Sequence, residues 1–138
     1  MKILNREDLL DILYGGAILG TGGGGSLISG IECIDLALSK GKTFKLVSFD
    51  ELNADDIIVC PYSCGAISPL SEEERKKYEG LPVYEDTYHI KALESMEEYL
   101  GKPIKAIIST EIGAGNTASA LYCAAMADKV IVDGDPAG

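Results

Sequence analysis

The chain has 138 residues, of which 46% are hydrophobic and 25% are charged, and this composition excludes an intrinsically disordered chain. Its formal net charge is −10 and its pI is about 4.4, and no segment has an excess of basic residues. Proteins that bind nucleic acids or anionic membranes through charge need a basic surface, so both classes are disfavoured.

Two predicted helices flank a glycine run near the N-terminus. Asn5 is a predicted N-cap, and Leu9 and Leu13 follow it at the spacing of one helix face. The glycine run 20–25 ends this helix, because glycine is a poor helix former. Ser26 then begins the second helix as its N-cap.

The rest of the chain alternates short apolar strands with helices. Strands are predicted at 44–49, 57–60, 104–109 and 130–132, and helices at 71–78, 89–100 and 116–127. On the helix 89–100, the inward positions are expected to be Ile90, Leu93, Met96 or Glu97, and Leu100. This alternation predicts an α/β fold, with a mostly parallel sheet flanked by helices.

We expect a single domain over residues 1–138. A loop of Asp, Gly and Pro follows the last predicted strand, and in parallel sheets such loops build the binding site. We therefore interpret the chain as a fragment of a longer two-domain protein, or as a subunit completed by a partner, which includes a homo-oligomer.

The expected location is the cytoplasm. The first residues do not resemble a signal peptide, and no apolar run approaches the roughly 20 residues that span a bilayer. Cys33, Cys60, Cys64 and Cys123 fall in segments predicted to be buried, which is typical of reduced thiols rather than of a disulfide framework. Neither nucleic acid nor a membrane is expected as a partner.

The first candidate site is the run Gly20-Thr21-Gly22-Gly23-Gly24-Gly25. Successive glycine amides before a helix N-terminus can bind a small polar or anionic group, and this is the favoured interpretation. The run also fits the dinucleotide fingerprint, with Asp50 as the ribose-binding acid, but that fingerprint requires a strand where a helix is predicted. The structural alternative is that the glycines only let two helices turn against the sheet.

The second candidate is the segment 109–116, which follows an apolar strand and opens a helix. Glu111 is interpreted as a residue that binds substrate, binds a metal or acts as a base, or else as a solvated loop acid. Asn116 is a predicted N-cap. The glycines 113 and 115 suggest a close backbone approach at this point.

Two further loops also follow predicted strands. Asp133 and Asp135 could bind Mg²⁺ or Zn²⁺, although turn-forming aspartates are the more frequent explanation of such a pair. Cys60 and Cys64 do not have the usual spacing of a structural zinc site, but Cys64, beside Gly65, is a candidate pocket thiol. The loops 20–25, 64–66, 113–116 and 133–138 are expected to converge at one edge of the sheet.

These motifs together resemble the DUF917 family, also described as S-methyl-thiohydantoin desulfurase or hydantoinase/oxoprolinase-like. The resemblance rests on the segments 17–25, 64–66, 111–116 and 132–135, in that order, and the Gly-Thr-Gly-Gly-Gly-Gly element is its most specific part. It extends along the whole chain. Members of that family are longer than this chain and have a second domain after the part seen here.

The resemblance implies hydrolysis of a small hydantoin-like ring, with release of methanethiol in the desulfurase case, and a divalent metal such as zinc as a cofactor. Two alternatives stay open: a non-catalytic module that binds a small molecule or another subunit, and a nucleotide-binding oxidoreductase. The predicted catalytic residues are Glu111, Asp133 and Asp135. The predicted substrate-binding residues are Thr21, Gly22, Gly23, Gly24, Gly25, Cys64, Gly65, Gly113 and Asn116.

Overall fold

The computed structural model describes residues 1–63, 68–82 and 88–136 and contains a five-stranded sheet. The strand order is β1-β2-β5-β4-β3, in which β1 runs antiparallel to β2 and the other neighbours are parallel. The predicted α/β fold with a mostly parallel sheet is confirmed. The strands are β1 (Lys2–Leu4), β2 (Phe44–Val47), β3 (Ile58–Val59), β4 (Ala106–Ile108) and β5 (Val130–Val132).

The helices begin where capping side chains satisfy their first amide groups. Asn5 and Asp8 form a capping box, in which each side chain accepts a hydrogen bond from the backbone N–H of the other at 3.0 Å. Ser26 accepts from the N–H of Ser29, as its predicted role as an N-cap requires. The helices are α1 (Arg6–Leu19), α2 (Leu27–Ser39), α3 (Glu72–Lys77), α4 (Tyr88–Leu100) and α5 (Ala114–Met126), and a short 3-10 turn spans Phe49–Glu51.

The main core lies between the sheet and three helices, α1, α2 and α5. Alternation along β4 and β5 places Ile107 and Ile131 on this face, where they join one buried cluster with Leu13, Ile34 and Leu121 from the three helices. A smaller cluster on the opposite face of the sheet contains Val47, Ala106, Ile108 and Val132. Small residues on both helices allow the close packing of α2 and α5: a Cβ at Gly30 on α2 would lie only 3.1 Å from the Cβ of Ala118 on α5.

The dinucleotide interpretation of the glycine run is wrong. The segment that enters the run is the helix α1, whereas the fingerprint requires a strand to deliver the phosphate-binding turn. The nucleotide-binding oxidoreductase, which rests on that fingerprint, therefore loses its support.

Several predicted boundaries and one set of inward positions differ from the structure. Strand β1 was not expected, and β3 and β4 are shorter than the apolar runs that contain them. On α4, Leu93 is buried but Met96 and Leu100 are exposed, because Glu97 takes the inward position and binds the N–H of Ile104 and the ammonium group of Lys129. Apolar character alone did not identify that face.

Within the described residues, no helix combines the length and the apolar character needed to cross a membrane.

Candidate functional site

The glycine loop, residues 20–25 between α1 and α2, lies directly against the loop that leads into α5. A side chain at Gly24 would place its Cβ 2.3 Å from the Cα of Gly113, and a Cβ at Gly113 would lie 2.2 Å from the Cα of Gly24. Gly25 and Gly115 approach each other almost as closely, with corresponding distances of 2.9 and 2.7 Å. The two loops therefore pack backbone against backbone, which only glycine permits.

Hydrogen bonds join the same two loops through Asn116. Its backbone N–H donates to the carbonyl oxygen of Gly24 at 2.9 Å, and its side-chain amide donates to the carbonyl oxygen of Glu111, also at 2.9 Å. Asn116 is therefore not the predicted N-cap. Helix α5 begins at Ala114, with Gly113 in the cap position, and Asn116 lies within the first turn.

Glu111 has a backbone conformation that is unusual for a residue with a side chain. Its φ is +55°, in the left-handed region, and this conformation costs about 1 kcal/mol or more relative to the ordinary helical or extended regions. The bond from the Asn116 side chain holds the carbonyl group of Glu111 in this conformation. Glu111 thus has an exposed side chain on a backbone that is fixed by neighbouring groups.

One cleft, of about 580 Å³, lies where α2 and α5 begin, and we call it the Glu111 cleft. Besides the Glu111 carboxylate, its wall contains hydroxyl groups, an amide and two tyrosine rings, which give it hydrogen-bond donors and flat apolar surfaces. The N-terminal ends of both helices also lie at this cleft, where the helix dipoles create positive potential. Its lining residues include Gly25, Ser26, Ser29, Cys33, Tyr62, Ser63, Tyr88, Thr110, Glu111, Gly115, Asn116 and Ser119.

A second cleft, of about 730 Å³, lies between one face of α1 and the strands β1, β2 and β5, and we call it the Asp133 cleft. Asp133 and Asp135 line this cleft and do not line the Glu111 cleft. The N–H of Asp133 extends the sheet by donating to the carbonyl oxygen of Val47 at 2.8 Å. The three predicted catalytic carboxylates are thus divided between two clefts.

Cys60 lies one residue past β3, near two of these carboxylates. The thiol is half-buried, and burial, followed by the negative charges of Asp135 and Glu111, raises its pKa above the ordinary value. The thiol is therefore protonated at neutral pH and is a poor nucleophile. Because the charges of Asp135 and Glu111 both act on this thiol, both residues lie near the end of β3.

The remaining predicted binding residues do not all lie at the same cleft. Gly25 and Asn116 line the Glu111 cleft, whereas Thr21, Gly22, Gly23, Gly24 and Gly113 line neither cleft, and Cys64 and Gly65 lie outside the described residues. Convergence of the loops at one edge is therefore seen for 20–25 with 113–116.

A metal centre has no ligand set in the described part of the chain. No group of three or more His, Cys, Asp or Glu side chains is arranged there so that it could hold a metal ion.

Sequence reasoning missed the hydroxyl groups of the Glu111 cleft. Ser26, Ser29 and Cys33 occur at spacings of three and four residues along α2, so they share one face of that helix. Ser119 lies three residues after Asn116 on α5, which has the same consequence. These small polar stripes were visible in the sequence, but only the packing of α2 against α5 shows that they face a common space.

Comparison with known proteins gives a family match and matches to solved structures. A family model described as "S-Me-THD-like, N-terminal domain" matches residues 7–138. An X-ray structure of a protein from Chromobacterium violaceum is similar over 98% of this chain, with a TM-score of 0.65 and 22% sequence identity. At that identity the likeness shows the fold alone, and this chain covers 35% of the length of the other. No curated protein matches the sequence.

Proposed function

This chain belongs to the S-Me-THD-like N-terminal domain family, and from that premise we propose that it is the ring-binding part of a hydrolase for small cyclic amides or thiohydantoins. The observation that supports this best is the Glu111 cleft itself. It combines one carboxylate on a fixed backbone with several hydrogen-bond donors around it. A site of this composition matches the polar edge of a hydantoin-like ring.

A hydantoin ring presents carbonyl oxygens and N–H groups in one plane. The carboxylate of Glu111 accepts a hydrogen bond from a ring N–H, while the hydroxyl groups of Ser26, Ser29 and Ser119 donate to ring carbonyl oxygens. The rings of Tyr62 and Tyr88 provide flat apolar surface for the face of such a ring.

In the proposed reaction Glu111 acts as the general base. It takes a proton from water as the water oxygen attacks the ring carbon, and the negative charge that develops on the ring is stabilised by hydroxyl donors and by the two helix N-termini. For an S-methyl-thiohydantoin, the carbon–sulfur bond then breaks. The leaving sulfur takes up the proton that Glu111 holds and departs as methanethiol. The ring nitrogen, which received the electrons of the C=N bond when water attacked, takes the proton of the added hydroxyl group, and a carbonyl group replaces the S-methyl group.

For a simple cyclic amide, the ring carbon–nitrogen bond breaks instead. The ring nitrogen leaves with the proton that Glu111 returns, and the product has a free carboxylate. Asp133 and Asp135 are not assigned a role in either reaction, because they line the other cleft.

The second candidate function is not enzymatic: the chain would be a module that binds a small molecule or another subunit without catalysis. It is favoured by the glycine loop, whose glycines at 24 and 25 are explained by backbone packing without any ligand. It is also favoured by apolar side chains that flank this loop, since Ile18 and Ile28 are 75% and 71% exposed. A homo-oligomer formed through this surface is the corresponding partner proposal.

The decisive experiment compares Glu111→Gln with Glu79→Gln, a matched change at an exposed site in no cleft. Hydrolysis of S-methyl-thiohydantoin and of hydantoin is measured with the wild type and both variants. Each is assayed as residues 1–138 and within any longer natural protein that contains these residues. We expect Glu111→Gln to lose about a hundredfold or more of the turnover, because a general base contributes at least that factor. Circular dichroism should show an unchanged fold.

Unchanged turnover in Glu111→Gln would remove Glu111 from the mechanism. Saturable binding of the rings without turnover in any wild-type form would favour the binding module. Glu111→Asp, which retains the carboxylate on a shorter side chain, should keep part of the activity.

A further inference from the structure

The Asp133 cleft is separate from the proposed hydrolytic site and has its own chemical character. One face of α1 forms a wall through Asp11, Ile12, Gly15 and Leu19, which recur at helical spacing. We propose that this cleft binds a small organic cation, namely a primary amine attached to an apolar group.

The charge of the cleft supports a cationic ligand. Four aspartates and one lysine line it, and Lys2 is already paired with Asp8 at 2.8 Å. In the described part of the chain, no basic side chain forms an ion pair with Asp11 or Asp133. A protonated amine would pair with these two carboxylates, and the net charge of −10 attracts cations toward the protein.

The arrangement of these carboxylates is wrong for a metal ion. A metal needs several ligand atoms within about 2–2.6 Å of one point. Among the described residues, no three acidic, histidine or cysteine side chains meet this requirement. Acids and apolar side chains line the same cleft, and this combination favours an organic cation with an apolar body.

The apolar floor and rim would contact that body. Leu46, Leu121 and Ile131 form the floor. Leu19 and Ile112 line the same cleft although they are 68% and 43% exposed, so they have apolar surface that a ligand could cover. The combination of apolar contact area and a few placed charges is typical of small-molecule sites.

Gly15 gives an independent indication that the space is kept open. It lies inside α1, where glycine destabilises a helix relative to alanine. Packing does not require it, because a Cβ at this position would meet nothing within 4 Å. The neighbouring Gly16 differs, since its Cβ would lie 3.3 Å from the backbone of Gly113. A side chain at position 15 would instead extend into the cleft.

The test uses the chain 1–138 labelled with ¹⁵N and titrated with 2-phenylethylamine, with 2-phenylethanol as the neutral control. We expect saturable shifts of the amide signals of Gly15, Gly16 and Gly134, and a weaker affinity for the alcohol. Equal affinity for the two compounds, or shifts confined to the Glu111 cleft, would overturn the proposal.

Variants provide the second part of the test. Asp133→Asn should weaken amine binding about fivefold, the effect of losing one exposed ion pair, whereas Asp55→Asn makes the same charge change outside the cleft and should leave binding unchanged. Gly15→Leu should abolish saturable binding. If Gly15→Leu is folded and binds the amine normally, or if Asp133→Asn behaves like Asp55→Asn, the cleft is not the cation site.

This inference does not depend on the proposed hydrolysis. Glu111→Gln should leave amine binding unchanged, so the two proposals can fail separately.

Discussion

At the scale of single residues, Gly22 and Gly24 lie in the same loop but are required for different physical reasons. Both have a positive φ, +97° and +72°, so any side chain is strained at either position. Only Gly24 is also in close contact, because a Cβ there would meet the backbone of Gly113, whereas a Cβ at Gly22 would meet nothing within 4 Å.

The substitution Gly24→Ala should therefore cost about 3 kcal/mol in the free energy of unfolding, from strain in φ plus the clash of two backbones. Gly22→Ala should cost only about 1 kcal/mol, since it has the strain without the clash. Urea denaturation measures both. Equal costs would show that the two loops separate easily and that their contact does not restrict residue 24.

Two cysteines, Cys33 and Cys123, differ in burial and therefore in the expected reactivity of their thiols. Cys123 is fully buried on α5, and burial raises the pKa of its thiol to about 11. Cys33 is half-buried and lines the Glu111 cleft.

With iodoacetamide at pH 8, Cys33 should react faster than Cys123, because alkylation requires an accessible thiolate. Mass spectrometry of the digested protein measures each rate, and denatured protein serves as the control in which both should react. Faster alkylation of Cys123 than of Cys33 in the native protein would contradict the packing of α5.

At the scale of elements, one carboxylate connects α4 to the sheet. Glu97 Oε1 accepts from the ammonium group of Lys129 at 2.6 Å and from the N–H of Ile104 at 2.7 Å. The hydrogen bond from Lys129, followed by the one from Ile104, lowers the pKa of Glu97 below its ordinary value. Helix α4 is thereby joined to the residues just before β4 and β5.

This lowered pKa predicts a dependence of stability on pH. Because the folded protein favours the charged carboxylate, the stabilisation is present above the unfolded-state pKa and is lost as the pH falls through the folded-state pKa. From pH 7 towards acid, Glu97→Gln should lose less stability than the wild type, while Glu98→Gln, on the exposed side of the same helix, should follow the wild type. Denaturation at several pH values measures this, and identical slopes for all three proteins would exclude the proposed link.

At the scale of the whole molecule, the surface charge governs solubility. At pH 7 the formal net charge is −10, and the pI is about 4.4. Copies of the chain therefore repel one another near neutral pH, and this repulsion disappears when the carboxylates are protonated.

Self-association should accordingly be greatest near pH 4.4 and small at pH 7.5 in low salt. Light scattering at constant protein concentration measures it, and added salt at pH 7.5 should increase it by screening the repulsion. Equal association at both pH values in low salt would instead indicate a specific apolar interface, for which the exposed Ile18 and Ile28 are the candidates.

Local chemistry decided where α1 and α2 begin and end, and so the sequence predicted these two helices well. The Asn5 and Ser26 caps and the glycine run mark the ends of α1 and α2 through contacts between residues only a few positions apart. The α/β class followed from the alternation of apolar strands with helices. The family was also recognised from the order of its loops, and the family match confirms it.

Long-range packing decided the rest. Strand β1 forms only because β2 is available to pair with it, and Glu97 faces inward only because Lys129 and Ile104 lie there. Likewise, the contact of Gly24 with Gly113 joins segments that are far apart in the chain. The packing of helices on the sheet also leaves Glu111 and Asp133 in different clefts. The sequence alone determined which loops contain the polar groups, because turns and caps are local. Which of those groups share a cleft depends on how helices pack on the sheet, and only the tertiary structure decided that.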